Sequence, residues 1–164
     1  MFCQKNWTVM IVVILGLVMF IPVARAERQD VEFTVCNAVT YNVVQFTPEV
    51  GVVSWDAKAI IRSTHENKLF DSWTGQGVGV SKRIGDKSSW NGFTKRMGPD
   101  GEFIIWELYG DSESGTTWKP IYGTGKWKGI KGEVKSKRIT TGKPIVQGTE
   151  QYCDSNKGWI ELPK

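Results

Sequence analysis

Val53-Ser54-Trp55-Asp56-Ala57-Lys58-Ala59-Ile60-Ile61-Arg62 alternates apolar and polar residues with a period of two, interrupted only by Ile60 on the polar side. Successive side chains of an extended strand point to opposite faces, so this stretch specifies a strand with one buried face. Ile130, Gly132, Val134 and Ser136 repeat the pattern against Lys131, Glu133, Lys135 and Lys137. Between these two segments, residues 78–83, 88–97, 102–109 and 116–122 are each bounded by turn-forming clusters such as Gly98-Pro99-Asp100-Gly101 and Asp111-Ser112-Glu113-Ser114-Gly115. Such clusters between short β-prone runs read as hairpin connections.

Residues 31–46 supply a first strand, and short strands are expected around residues 145–153 and 159–162. The chain therefore reads as all-β, with about eight antiparallel strands paired in sequence order. Evenly spaced short strands form a sandwich or a barrel. Residues 67–73 (Asn-Lys-Leu-Phe-Asp-Ser-Trp) have no clear period and are expected to cover one end, with Leu69, Phe70 and Trp73 as the plug. A membrane β-barrel needs an apolar outer band, and the charged stretch 131–138 does not offer one.

Residues 1–26 read as a secretory signal peptide. Lys5 precedes an apolar run over 9–20, Pro22 breaks it, and Ala24-Arg25-Ala26 supplies small residues for cleavage. An uncleaved anchor is the other reading, but the run is short for a bilayer core of about 30 Å. Export to the periplasm is expected in a double-membrane bacterium, and secretion otherwise. Cleavage would leave residues 27–164 as a single domain with no stable membrane span, long enough to bury a continuous core. Lys5 and Arg25 leave with the leader, so the formal charge of +4 falls by two. That excess is too small, and too evenly mixed with carboxylates, to indicate nucleic acid.

Removing Cys3 with the leader leaves Cys36 and Cys153 as an even pair in an exported chain. A disulfide is the expected state in an oxidising compartment, with two free thiols or metal ligation as the alternatives. His65 is the only histidine, which makes a metal site a poor fit. A Cys36–Cys153 bond would bring the first and last strands together, and closing an up-and-down sheet into a barrel does the same. No cofactor is expected: Gly125-Lys126 is followed by Trp127 rather than Ser or Thr, and Gly75, Gly77 and Gly79 precede no helix. Those three glycines instead suit a sharp bend or close packing beneath an indole.

The most distinctive segment is Gly123-Thr124-Gly125-Lys126-Trp127-Lys128-Gly129-Ile130-Lys131-Gly132, whose glycines permit a tight corner while Trp127 drops into the barrel end. It resembles the Gly-Thr-Gly-x-aromatic-x-Gly-x-x-Gly turn of the allene oxide cyclase-like and dirigent-like β-barrels. Exported bacterial members look similar in preceding that turn with stretches like Ile104-Ile105-Trp106-Glu107 and Gly115-Thr116-Thr117-Trp118-Lys119. The resemblance covers residues 73–138 and implies an eight-stranded barrel. Proteins of this fold include cyclases, stereochemical guides for coupling reactions and proteins without catalysis, so fold alone does not select a function.

Seven tryptophans remain after the leader, and small barrels can hold one ligand in the lumen. Trp55, Trp90, Trp106, Tyr109 and Trp118 are the candidate ligand-binding residues. Glu107, set in the most apolar strand, and Asp56, between Trp55 and Ala57, are the candidates for general acid or base work if the protein is an enzyme. Glu107 could instead face solvent or pair with Arg96 or Lys119. His65 is expected in an exposed loop, with no nucleophile-elbow sequence to serve. The leading expectation is an exported barrel that binds a small hydrophobic or aromatic molecule without catalysis. The alternatives are a cyclase or isomerase acting on an unsaturated or oxidised lipid, and a structural or partner-binding envelope protein.

Overall fold

The computed structural model describes residues 27–163. The expected signal peptide lies outside the described residues. Eight strands follow one another as β1 (Glu27–Gln45), β2 (Val50–Ser63), β3 (Trp73–Ile84), β4 (Lys87–Met97), β5 (Phe103–Asp111), β6 (Gly115–Gly123), β7 (Lys131–Gly142) and β8 (Thr149–Leu162). Each pairs antiparallel with the next, and β8 pairs with β1 to close the barrel. The closing ladder is long, running from Glu27 opposite Leu162 to Thr40 opposite Thr149. Cys36 and Cys153 are register partners within it and form a disulfide. Both lie on the outward parity, since their neighbours Val35 and Asp154 line the interior.

Two expectations about strand extent change. The final segments are not two short strands: residues 149–162 form one, and Ile145 and Val146 sit in the preceding loop, with Ile145 88% exposed. Without a core face to cover, their β-prone side chains do not build a strand. Strand β3 begins at Trp73, five residues before residue 78, because Gly75 and Gly77 are part of the ladder opposite Ala59 and Ala57. Low strand propensity at glycine is overridden there by pairing on both sides.

One end of the barrel is packed solid. Phe33, Ile61, Phe70, Trp73, Ile104, Trp106, Trp127 and Ile160 belong to a single buried cluster. Phe70, carried by the loop after β2, makes the central contacts: its ring lies 4.9 Å from Phe33, 5.2 Å from Trp73 and 5.7 Å from Trp127. Trp127 arrives from the opposite side on a single 3-10 turn, Gly125–Trp127. Gly125 and Gly129 flank that turn with φ of +52° and +80°, a left-handed backbone that other residues adopt only with strain. The corner expected from the glycine spacing is thus present, and so is the plug expected from residues 67–73.

Outward-facing positions are unusually apolar on one side. Ile60, Val78, Phe93 and Met97 are all about half exposed on β2, β3 and β4. This explains why clean alternation shows only in parts of the sequence. In β4 the pattern is inverted: Trp90, Gly92, Thr94 and Arg96 point inward, while Phe93 and Met97 point out.

Closing a loop of 117 residues restricts the unfolded chain, worth about 4–5 kcal/mol. A Cys36→Ser/Cys153→Ser variant is expected to retain its β circular dichroism and to lose about 3–5 kcal/mol in urea unfolding. An unchanged unfolding midpoint would show that the bond does not restrain the closing strands.

Candidate functional site

Above the packed end the barrel holds a cavity of about 230 Å³. Its apolar wall comes from Val35 and Val39 on β1, Trp55, Ala57 and Ala59 on β2, Trp90 on β4, Leu108 on β5 and Trp118 on β6. The space exists because the inward positions of β2 and β3 are small: Ala57, Ala59 and Gly75 leave room that larger residues would fill. An eight-stranded barrel is only wide enough to be filled by side chains or to hold one small molecule. Here both solutions coexist, one at each end.

Trp55 depends on the glycines beside it. Register places Trp55, Gly79 and Gly92 in one row across β2, β3 and β4. A β-carbon at either Gly79 or Gly92 would fall within 2.6 Å of the Trp55 indole. The ring therefore lies flat against bare backbone, the packing suggested by glycine alternation in β3. Trp90 is oriented differently: its indole Nε1 donates a 3.0 Å hydrogen bond to Thr116 Oγ1.

The rest of the lining is polar and ordered. Arg138 on β7 donates from Nε to Asp154 at 2.7 Å and from Nη1 to Glu150 at 3.2 Å, both on β8. Its guanidinium lies 3.3 Å from the centre of the Tyr152 ring, and Tyr41 donates its hydroxyl hydrogen to Glu150. Burial pushes the Tyr152 phenol up to about 12, aided by the negative charge of Asp154. Burial likewise raises the Tyr41 phenol, and its hydrogen bond to Glu150 adds to that shift. For Asp154, burial raises the carboxyl above its ordinary 3.8 despite the opposing pull of Arg138.

Arg96 stands apart from this network. The side chain is 3% exposed, and its guanidinium lies 4.2 Å from the Trp118 ring centre, 5.4 Å from Phe33 and 5.5 Å from Trp106. Nη1 is buried with no hydrogen-bond partner among the described residues. Burial brings the group down from 12.5 to about 9, with Asp154 partly opposing. It is still cationic at neutral pH.

Of the residues expected at a lumen site, Trp55, Trp90 and Trp118 line the cavity. Trp106 does not: it is fully buried in the packed end, one layer beyond the open space. Tyr109 points away from the lumen and is 39% exposed, because Leu108 and Gly110 occupy the inward positions of β5. Glu107 shares that outward parity, opposite Phe93 and Lys119. Asp56 faces out too, opposite Thr40 and Val78. Arg96 cannot pair with Glu107, since the two lie on opposite sides of the sheet. His65 is half-buried in the loop after β2, where its Nδ1 accepts the Asn67 backbone N–H at 3.3 Å. Among the described residues, no cluster of His, Cys, Asp and Glu is grouped as a metal site would require.

The residues missed from sequence are Arg96, Arg138, Tyr41, Glu150, Tyr152 and Asp154. For Arg96 the signal was strand parity, since it follows Trp90, Gly92 and Thr94 at intervals of two.

No family model matches the chain, and no curated protein matches it. Solved structures do. The pterocarpan synthase dirigent protein GePTS1 superposes with a TM-score of 0.54 at 13% identity, over 85% of this chain and 90% of that one. The fold is a dirigent-type barrel. A second pterocarpan synthase dirigent protein, PsPTS1, aligns with a TM-score of 0.52 at 13% identity, over 84% of this chain and 97% of its own. At this identity the likeness concerns the fold.

Two variants probe the site's construction. Gly92→Ala is expected to displace Trp55, costing about 1–3 kcal/mol of stability and shifting the tryptophan emission spectrum. Unchanged emission and stability would show that the indole has room the structure does not give it. Arg96→Met removes an unpaired buried charge while keeping bulk, and is expected to stabilise the fold by about 1–4 kcal/mol. Because burial lowers the folded-state pKa of Arg96, the unfolded chain binds more protons above about pH 9. The penalty is therefore fully present below that pH and fades above it, and the melting-temperature gain of the Met variant should narrow in the same direction. A lower melting temperature for Arg96→Met at neutral pH would contradict this account.

Proposed function

We propose that this protein is an exported binding barrel that takes one small hydrophobic or aromatic molecule into its lumen without transforming it. The observation that carries the reading is the coexistence of a plugged end and a cavity at the other end lined by Trp55, Trp90, Trp118 and Leu108. Indoles give large apolar contact at low conformational cost, and the sealed end prevents passage through the barrel. The Cys36–Cys153 disulfide and the signal-like residues 1–26 support export. The cyclase alternative rested on Glu107 and Asp56, which face away from the lumen. The product named for the neighbouring pterocarpan synthases is theirs, and the shared barrel does not transfer it.

A partner-binding role is a second reading, favoured by the exposed apolar outer face of Ile60, Val78, Phe93 and Met97.

Three cavity tryptophans report on occupancy directly. Titration with a panel of small aromatics and fatty acids is expected to quench or shift tryptophan emission saturably for aromatics of one or two rings. The response should fall at least about tenfold in Ala57→Leu, whose side chain enters the lumen. No saturable response from the wild type, or an undiminished response in that variant, would contradict lumen binding.

A further inference from the structure

We infer that the lumen ligand is an aromatic acid held by its carboxylate, with Arg96 as the anchor. This rests on the lumen-binding reading and specifies its ligand class.

Four polar atoms near the boundary between packed end and cavity are buried without a partner among the described residues. They are Arg96 Nη1, Trp118 Nε1, Ser136 Oγ and Asn156 Oδ1. Arg96, Trp118 and Ser136 also line the cavity. Their placement is common: the Arg96 guanidinium lies over Trp118, Ser136 pairs with Thr116 on the strand that carries Trp118, and Asn156 is the register partner of Ser136. Three of the four can donate a hydrogen bond. The orphan indole nitrogens of Trp106 and Trp127 are different, since those rings belong to the solid plug.

A buried donor without an acceptor is costly, and a buried guanidinium without a counter-charge more so. Asp154 lines the lumen and Glu150 lies two positions before Tyr152 on the same inward parity, and neither hydrogen-bonds Arg96, although the charge of Asp154 offsets part of its burial. Asp154 is bonded to Arg138 Nε, and Glu150 binds Arg138 Nη1 and receives the Tyr41 hydroxyl. That set carries one net negative charge, and its hydrogen bonds are made among its own members. Its carboxylates repel an anion placed at the Arg138 side of the lumen, which leaves the Arg96 side as the place for one.

A carboxylate meets the donors there: it is planar, it accepts the paired N–H groups of a guanidinium, and it has further lone pairs for an indole N–H and a hydroxyl. It also places a negative charge in direct contact with Arg96, which a neutral carbonyl does not. An aromatic ring attached to it would extend over Ala57, Gly77 and Leu108 toward Trp55 and Trp90. The unpaired charge of Arg96 is thus retained at a cost to the empty barrel and compensated on binding.

Isothermal titration of 1-naphthoate and of its neutral isostere 1-naphthamide at pH 7 tests this, using the wild type, Arg96→Met and Ser136→Ala. The wild type is expected to bind the acid at least about tenfold tighter than the amide, the scale of one charge-assisted hydrogen bond. Arg96→Met should bind the two about equally, and Ser136→Ala should reduce the preference by about threefold. Equal or tighter binding of the amide by the wild type overturns the anchor and leaves lumen binding standing. So does an acid preference that persists in Arg96→Met. Should that variant fail to fold, the wild-type ratio and its fall in Ser136→Ala decide the matter. Binding of neither probe by the wild type overturns the anchor together with the lumen reading.

Discussion

The pairing of β1 with β8 is the interaction on which everything else depends. An open eight-stranded sheet would leave two edges unpaired and could not enclose a volume. Closure turns the inward parity of each strand into a shared interior, and the Cys36–Cys153 bond fixes the register of the two strands that meet. From that constraint follows the division of the interior. Inward residues near the turn carrying Phe70 and the corner carrying Trp127 are large and interlock, whereas Ala57, Ala59 and Gly75 leave the other half unfilled.

The cavity's two walls have different physical roles. Its apolar side is positioned by backbone: Trp55 lies where it does because Gly79 and Gly92 offer no side chain to displace it. Its polar side is positioned by charge, with Arg138 clamped between Asp154 and Glu150 and stacked on Tyr152. Arg96 belongs to neither arrangement. A self-consistent core would not place an unpaired guanidinium among three aromatic rings, and departures of this kind concentrate at functional sites.

Much of the architecture was legible in the sequence, and the reason is period two. Residues 53–62 and 130–137 face a core on one side and water on the other, so their alternation reads directly. The corner at Gly123–Gly132 was legible because left-handed backbone at Gly125 and Gly129 requires glycine. The candidate site was legible only in its tryptophans, and not in all of them. Trp106 and Trp118 share the inward side, and which of them meets open space depends on how far the Phe70 and Trp127 plug reaches, a tertiary fact. Tyr109 was misplaced, and the facing of Glu107 stayed open between lumen and solvent, because β5 is apolar on both faces and its parity is hidden. Arg96 was overlooked because in β4 Phe93 and Met97 face out and polar residues face in, the reverse of what hydrophobicity alone assigns.

The barrel interior is open beside Trp55, Trp90 and Leu108. Xenon occupies apolar space in a protein interior in preference to water, and the wall of Trp55, Ala57 and Leu108 is the apolar side of this cavity. Diffraction from a crystal pressurised with xenon reads that opening. Ordered xenon density is expected between Trp55, Ala57 and Leu108, with the Phe70 and Trp127 plug unchanged. A lumen without xenon, closed by inward movement of Trp55 or Trp90 until it is packed like the other end, would contradict an open interior.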